Sequence, residues 1–418
     1  MNTTEQMVRK AEEELKEAFA RIDENEEART RQVLDAFRKE SVSYRHFAPS
    51  TGYGYDDIGR DTLERIYAEV FHTEAALMRP HVSSGTAALS LTLFGLTKPG
   101  EHIVSATGMP YDTLQGVIGT GDDVPPGSLK EMGVSFGCVE LKNGRIDVGA
   151  VEEAMTENTS LVIAQRSRGY AWRPSLFPEA FRELAEMIHE HHPGVTLMVD
   201  NCYGEFVCGD EPTDYGADLC VGSLIKNPGG GIAPTGGYVA GKRVLIERIA
   251  GRLTAPGLGR EIGSYEATYR PFYQGLFMAP HTVAQALKTA LLTSRLFENL
   301  GMETTPASTE PRADIIQAIK MQTPERLVAF CQGIQTASPV DSMAMPEPWD
   351  MPGYEDQVVM AAGTFVSGAS IELSADGPMR APYTAYMQGG LTYRHGRIAL
   401  TEALKRMIET GALTLPES

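Results

Sequence analysis

The chain has 418 residues, with 37 Lys and Arg against 55 Asp and Glu, for a formal net charge of −18. That acidic total argues against a nucleic-acid or anionic-membrane partner, since either needs a concentrated basic face. With 42% hydrophobic and 22% charged residues, the length suits one large domain joined to a smaller one, with ample core.

The N-terminal run MNTTEQMVRKAEEELKEAF is charged throughout and has no apolar secretion-signal region, and no run reaches the length of a membrane span. A cytoplasmic location is expected. Cys138, Cys202, Cys208, Cys220 and Cys331 are scattered and odd in number, which fits a reducing compartment better than a disulfide framework. The spacing of Cys202, Cys208 and Cys220 does not suit zinc, and no metal is expected.

In chain order, residues 4 to about 39 read as a charged helix with Met7, Ala11, Leu15, Ala18, Phe19 and Ile22 on one side, able to pack on the body or on a second subunit. The Gly and Tyr cluster from Gly52 to Gly59 reads as a loop, with Asp61 capping the helix that follows. Tyr53, Tyr55 and Arg60 suit an anion contact or plain turn chemistry equally well. Ser84-Gly85-Thr86, after Ser83, opens an Ala/Leu-rich helix whose free N–H groups and hydroxyls form a phosphate site. Any capped helix begins in a similar way, so this motif gains weight only in combination.

A strand over 101–106 ends in a turn bearing Tyr111, an aromatic that either lies flat on a ring-shaped ligand or fills core. A strand over 133–141, a helix over 147–156 and a strand over 160–165 follow, the last emptying into Gln165-Arg166-Ser167-Arg168-Gly169-Tyr170. A helix over about 178–192 stops at Pro193-Gly194. His189, His191 and His192 there oppose the helix's partial negative end, a better account than metal ligation.

Val195, Leu197, Met198 and Val199 then form a buried strand whose carboxyl end delivers Asp200 to a crevice, and the run from Leu219 to Ile225 delivers Lys226, followed by Asn-Pro-Gly-Gly-Gly. An acid at one strand end and a lysine at another are what pyridoxal phosphate chemistry needs. The acid keeps the ring nitrogen protonated, and the lysine amine forms the Schiff base. The repeated strand and helix from about 75 to 240 imply a mostly parallel sheet covered on both faces.

Past a strand over 236–240, a helix reaches about Leu253, and a long helical segment runs from about Ser264 to Leu300 with interruptions near Pro271 and Pro280. Helices near 311–320 and 324–334, strands near 357–373 and a closing helix over 396–410 make the remainder α+β. The expected division is an N-terminal helix and interface loop over 1–60, a large cofactor domain over 61–300 and a small domain over 301–418. Arg380, Arg394 and Arg397 are candidates to hold a substrate carboxylate, which a guanidinium matches with two parallel hydrogen bonds.

The segments GYGYDDIGRDTLERIYAEVF, SSGTAAL, GMPYDTL, QRSRGY, VDNCYGEF, GSLIKNPGGGIAPTGGY, QGLFMAP, GTFVSGASIELSADGP and QGGLTY occur in that order over about 50 to 395. In them the chain resembles the fold-type-I pyridoxal phosphate enzymes of cysteine and methionine metabolism, in particular the methionine gamma-lyase-like and cystathionine beta-lyase-like aluminium-resistance proteins. The resemblance implies an α/β fold with a mostly parallel seven-stranded sheet and a smaller α+β C-terminal domain. It further implies Lys226 as the Schiff-base lysine, Asp200 against the pyridine nitrogen and Tyr111 stacked on the ring. Ser84, Gly85, Thr86 and Ser223 would hold the phosphate and Ser167 would join the cofactor site. Tyr55 and Arg60 would reach across the interface of a homodimer or homotetramer. Ala87 stands where this branch usually has histidine, and Cys208 where it usually has an acidic residue, which puts an inherited substrate in question.

The expected reaction is β- or γ-elimination on an amino acid, with a thiolate or halide leaving. Lys226 acts as general base at the α-carbon and Tyr111 as the second acid or base. Rival readings are an aminotransferase, racemase or aldolase on the same frame, or a non-catalytic stress-response protein of the same fold. Gly229 to Gly237 lacks the G-x-G-x-x-G spacing of a dinucleotide site.

Overall fold

The computed structural model describes residues 3–121, 124–351 and 354–415. The amphipathic N-terminal stretch divides at Leu15 into α1 (Thr3–Glu14) and α2 (Lys16–Lys39). α3 (Ile58–Val70) is capped by Asp57 rather than by the expected Asp61: the Asp57 carboxylate accepts from the amides of Gly59 and Arg60, each at 3.0 Å. Asp61 lies inside the first turn, where its charge favours the helix start.

The chain then alternates through β1 (Ala75–Arg79), α4 (Gly85–Leu96), β2 (His102–Ser105), α5 (Asp112–Ile118), β3 (Ser135–Cys138), α6 (Val148–Ala154), β4 (Thr159–Gln165), α7 (Arg182–His191), β5 (Thr196–Asp200), β6 (Leu219–Ser223), β7 (Gly237–Gly241) and α8 (Arg243–Leu253). These strands make one sheet in the order β1-β7-β6-β5-β4-β2-β3. β6, β5, β4, β2 and β3 are parallel, while β7 runs antiparallel between β6 and β1. Neighbours within a strand enter different cores. Ile103, Leu161 and Met198 pack with Leu89, Leu93 and Ile246 on one face, and Val104, Val162 and Leu197 pack with Leu184 and Ile188 on the other. Burial on both faces is why these strands read as continuous apolar runs.

α9 (Arg270–Asn299) is one helix where interruptions were expected. Pro271 lies in the first turn, where a missing N–H costs nothing, and Pro280 is buried inside the helix. Next come β8 (Thr304–Thr305), β9 (Gln317–Lys320), α10 (Pro324–Thr336), β10 (Val358–Ala361), β11 (Ser374–Pro378), β12 (Thr384–Gln388) and α11 (Tyr393–Glu409). These strands form an antiparallel sheet in the order β10-β11-β12-β9-β8, with α10 and α11 packed in its core. No helix occupies 311–320. Ala318 and Ile319 are buried and paired to β12 on one side and β8 on the other, so long-range pairing overrides local pattern.

A buried ion pair ties α3 to β1. Arg79 Nε donates to Glu64 Oε1 at 2.7 Å, both side chains being at most 1% exposed, and Arg79 Nη1 and Nη2 reach the carbonyls of Ile262 and Arg260 at 2.7 and 2.8 Å. Arg79→Ala leaves Glu64 with only Arg260 at 3.4 Å. The unfolding free energy is expected to fall by about 3–5 kcal/mol in chemical denaturation. An unchanged midpoint would show the pair to be dispensable.

Candidate active site

Parallel strands end on the same edge of the sheet, so β4, β5 and β6 bring Gln165, Asp200 and Ser223 to one edge, where Gln165 and Asp200 line a cavity of about 610 Å³. Lys226 follows β6 by three residues and is the lysine that lines the cavity, with Asp200, Cys202, Tyr203, Tyr111 and Ser167. Asp200 is 6% exposed, and its Oδ1 accepts from the Cys202 amide at 3.1 Å. Burial pushes the Asp200 carboxyl above the usual carboxylate range, and the Lys226 charge pulls it back. For Lys226, burial opposes the ammonium, but Cys202, Tyr203, Asp200 and Tyr111 favour it, and the net direction is upward. Since burial holds the Cys202 thiol protonated, the carboxylate of Asp200 is the counter-charge that acts at neutral pH.

The Lys226 Nζ lies 4.0 Å from the centroid of the Tyr203 ring. Tyr203 takes a left-handed backbone, φ +73°, which costs a non-glycine residue roughly 1–2 kcal/mol. Its hydroxyl is tied to Ser370 Oγ at 3.0 Å, so the strained turn sets the ring over the amine.

The N-terminus of α4 faces the end of β6. Ser84 Oγ caps the helix by accepting from the Ala87 amide at 3.0 Å. A Cβ on Gly85 would stand 3.2 Å from Ser223 Cβ and 3.5 Å from Cys202 Sγ, so glycine here allows the backbone to approach closely. Ser223 Oγ is buried without a hydrogen-bond partner. Thr86 Oγ1 lies 2.9 Å from Tyr111 OH and 3.1 Å from Thr113 Oγ1, and the Tyr111 amide donates to Gln165 Oε1 at 3.2 Å. A partnerless hydroxyl, a helix N-terminus, a buried acid and an amine along one strand edge fit the donor set of pyridoxal phosphate. Ser84, Gly85, Thr86 and Ser223 would hold its phosphate, Asp200 would face its ring nitrogen and Lys226 its aldehyde.

The other expected residues divide. The carbonyl of Ser167 accepts from Gln165 Nε2 at 3.1 Å and from Arg173 at 2.5 Å. Arg380 lines the cavity, paired with Asp356 at 2.9 Å. Arg394 and Arg397 do not: α11 turns them onto Glu12 of α1, each at 3.2 Å. Tyr55 is 58% exposed and stacked on Tyr53 at 5.6 Å. Arg60, by contrast, is 1% exposed and has its nitrogens committed within its own chain, to Asp61 at 2.7 Å and the carbonyls of Gly54 and Glu261 at 2.9 and 3.2 Å. His189 pairs with Asp218, and His191 and His192 pair with Glu152. No group of potential metal ligands occurs among the described residues. No helix of the described residues is long and apolar enough to cross a membrane.

Sequence reading missed Gln165, Tyr203, Tyr354 and Asp376 in the cavity wall. For Asp376 a signal exists: in Ser-Ala-Asp-Gly-Pro, polar residues alternate with small ones at the period of a strand.

A family model described as methionine gamma-lyase matches residues 4–408. The chain is 50% identical over 389 residues to the uncharacterized protein YnbB of Bacillus subtilis, covering 93% of this chain and 92% of that one. It is 48% identical to a carbon-sulfur lyase involved in aluminum resistance from Clostridium novyi, whose crystal structure superposes with a TM-score of 0.92 over 97% of this chain and 96% of the other. A methionine gamma lyase from Micromonospora echinospora, at 18% identity and a TM-score of 0.57 over 87% of this chain and 93% of that one, shares the fold alone.

Proposed function

Because this chain belongs to the methionine gamma-lyase family of fold-type-I pyridoxal phosphate enzymes, we propose that it eliminates a thiolate, or by the same route a halide, from the β- or γ-carbon of an amino acid. The observation that carries this reading is the meeting of Asp200, Lys226 and the unpartnered Ser223 hydroxyl on one sheet edge.

When bound, the cofactor supplies an electron sink conjugated to the substrate α-carbon. The chain's own groups then have separate tasks. Asp200 holds the proton at the pyridine nitrogen. The Lys226 amine, kept near by the Tyr203 ring, takes the proton from the α-carbon. Tyr111, tethered by Thr86, is the proton donor for the departing sulfur. Burial raises the Tyr111 pKa, with the charge of Asp200 adding to it, so the phenol stays protonated and serves as an acid rather than as a resting base. Of the three candidate arginines, Arg380 is the one on the cavity wall, and we assign it the substrate carboxylate.

The enzyme is read as a cytoplasmic homodimer or homotetramer with its site at the subunit interface. The exposed Tyr55 is the residue offered to the neighbouring site, and Arg60 anchors the loop that carries it. Tyr111→Phe is expected to keep the cofactor's visible absorbance while kcat drops about 10²-fold with little change in KM. Unchanged kcat would remove Tyr111 from the proton path. Release of ammonia and a 2-oxo acid with no amino acceptor present tests the reaction class, and a requirement for an acceptor would make the enzyme an aminotransferase.

A further inference from the structure

The cavity wall contributed by the small sheet carries a charge that the elimination chemistry does not use. β11 and β12 pair with Asp376 opposite Tyr386 and Ser374 opposite Gln388. Side chains alternate along a strand, so Ser374, Asp376, Pro378, Tyr386 and Gln388 line the cavity while Ala375, Ala385 and Met387 pack into the core behind them. Asp376 is 6% exposed. Gln388 Nε2 reaches its Oδ2 at 3.2 Å, but its Oδ1 is buried with no hydrogen-bond partner.

No lysine or arginine among the described residues pairs with this carboxyl. Burial raises its pKa to about 6, with the nearby Tyr170 phenol and the Gln388 amide holding it from rising further, so it is still an anion at neutral pH. A buried anion without a counter-charge is costly to keep, and a ligand cation would remove that cost. The surroundings suit one. Tyr170, Tyr354 and Tyr386 line the same cavity, with the Tyr170 ring 5.7 Å from that of Tyr354 and 5.1 Å from that of Tyr386. Phenol rings attract cations through their π faces, most strongly where water is excluded.

We propose that Asp376 and the tyrosines around it form an ammonium subsite, so that the favoured substrate is an amino acid whose leaving group carries a protonated amine. An uncharged alkylthio group would leave Oδ1 as it is, buried and unpaired. The subsite rests on the elimination reading for what happens to the ligand, but not for whether it binds.

S-(2-aminoethyl)-L-cysteine and S-propyl-L-cysteine have the same length and differ by an ammonium in place of a methyl group. β-Elimination with uptake of water converts either to pyruvate and ammonium, releasing 2-aminoethanethiol from one and propanethiol from the other. With the holoenzyme, the amine compound is expected to be favoured about tenfold or more in calorimetric affinity and in kcat/KM for pyruvate release, the size of a charge-assisted contact. Asp376→Asn is expected to shrink that ratio to about twofold or less, and Asp376→Glu to restore part of it. A wild-type ratio near one overturns the subsite and needs no variant; so does a ratio that Asp376→Asn leaves unmoved. A binding preference without pyruvate would sustain the subsite and overturn the lyase reading. Pyruvate from both compounds at equal efficiency would do the reverse.

Discussion

Lys226→Ala is expected to lose the visible absorbance that the protein acquires with pyridoxal phosphate, and to lower elimination by at least about 10³-fold. Two functions vanish with one amine: covalent retention of the cofactor aldehyde and removal of the α-proton. The loss has no internal remedy, since the other cationic residues lining the cavity are Arg168, Arg173 and Arg380, whose guanidinium groups neither form a Schiff base nor deprotonate readily. Absorbance and 2-oxo acid release read the two functions separately, and a thermal melt establishes that the variant is folded. A folded variant that kept both signals would place the chemistry on another side chain.

Asp200→Asn is the second large effect. Asparagine has the same shape and can still accept from the Cys202 amide now held at 3.1 Å, so the turn after β5 is expected to survive. A neutral amide, however, cannot hold a proton on the pyridine nitrogen. Loss of one buried electrostatic contact to developing charge typically costs about 10²–10³-fold in kcat, and that drop is expected here with the visible band retained. Full turnover in a variant that binds the cofactor would mean that ring protonation is supplied elsewhere.

The placement of Asp200 and Lys226 at one edge of the sheet was legible in the sequence because a buried parallel strand announces itself as an apolar run and its last residues must emerge at one edge. Ser84 to Thr86 were legible for a similar local reason, as the start of an apolar helix. What escaped depends on contacts remote along the chain. Arg60 is buried by carbonyls about 200 residues away, at Glu261 and Gly263, which no pattern around position 60 could disclose. Arg394 and Arg397 were drawn off by Glu12, at the opposite end of the chain. The stretch 311–320 looked helical until pairing with β12 and β8 claimed its second half. Asp376 lay just beyond the strands expected near 357–373, and which way it faces is decided by its register with Tyr386. Tyr203 reached the Lys226 amine through a left-handed backbone that a tyrosine seldom adopts.

The most direct measurement is borohydride reduction of the protein incubated with pyridoxal phosphate, followed by peptide mass mapping. A single phosphopyridoxyl group on the peptide containing Lys226 is the expected result. No adduct, or one carried by a lysine other than Lys226, would contradict the assignment of this cavity as a pyridoxal phosphate site.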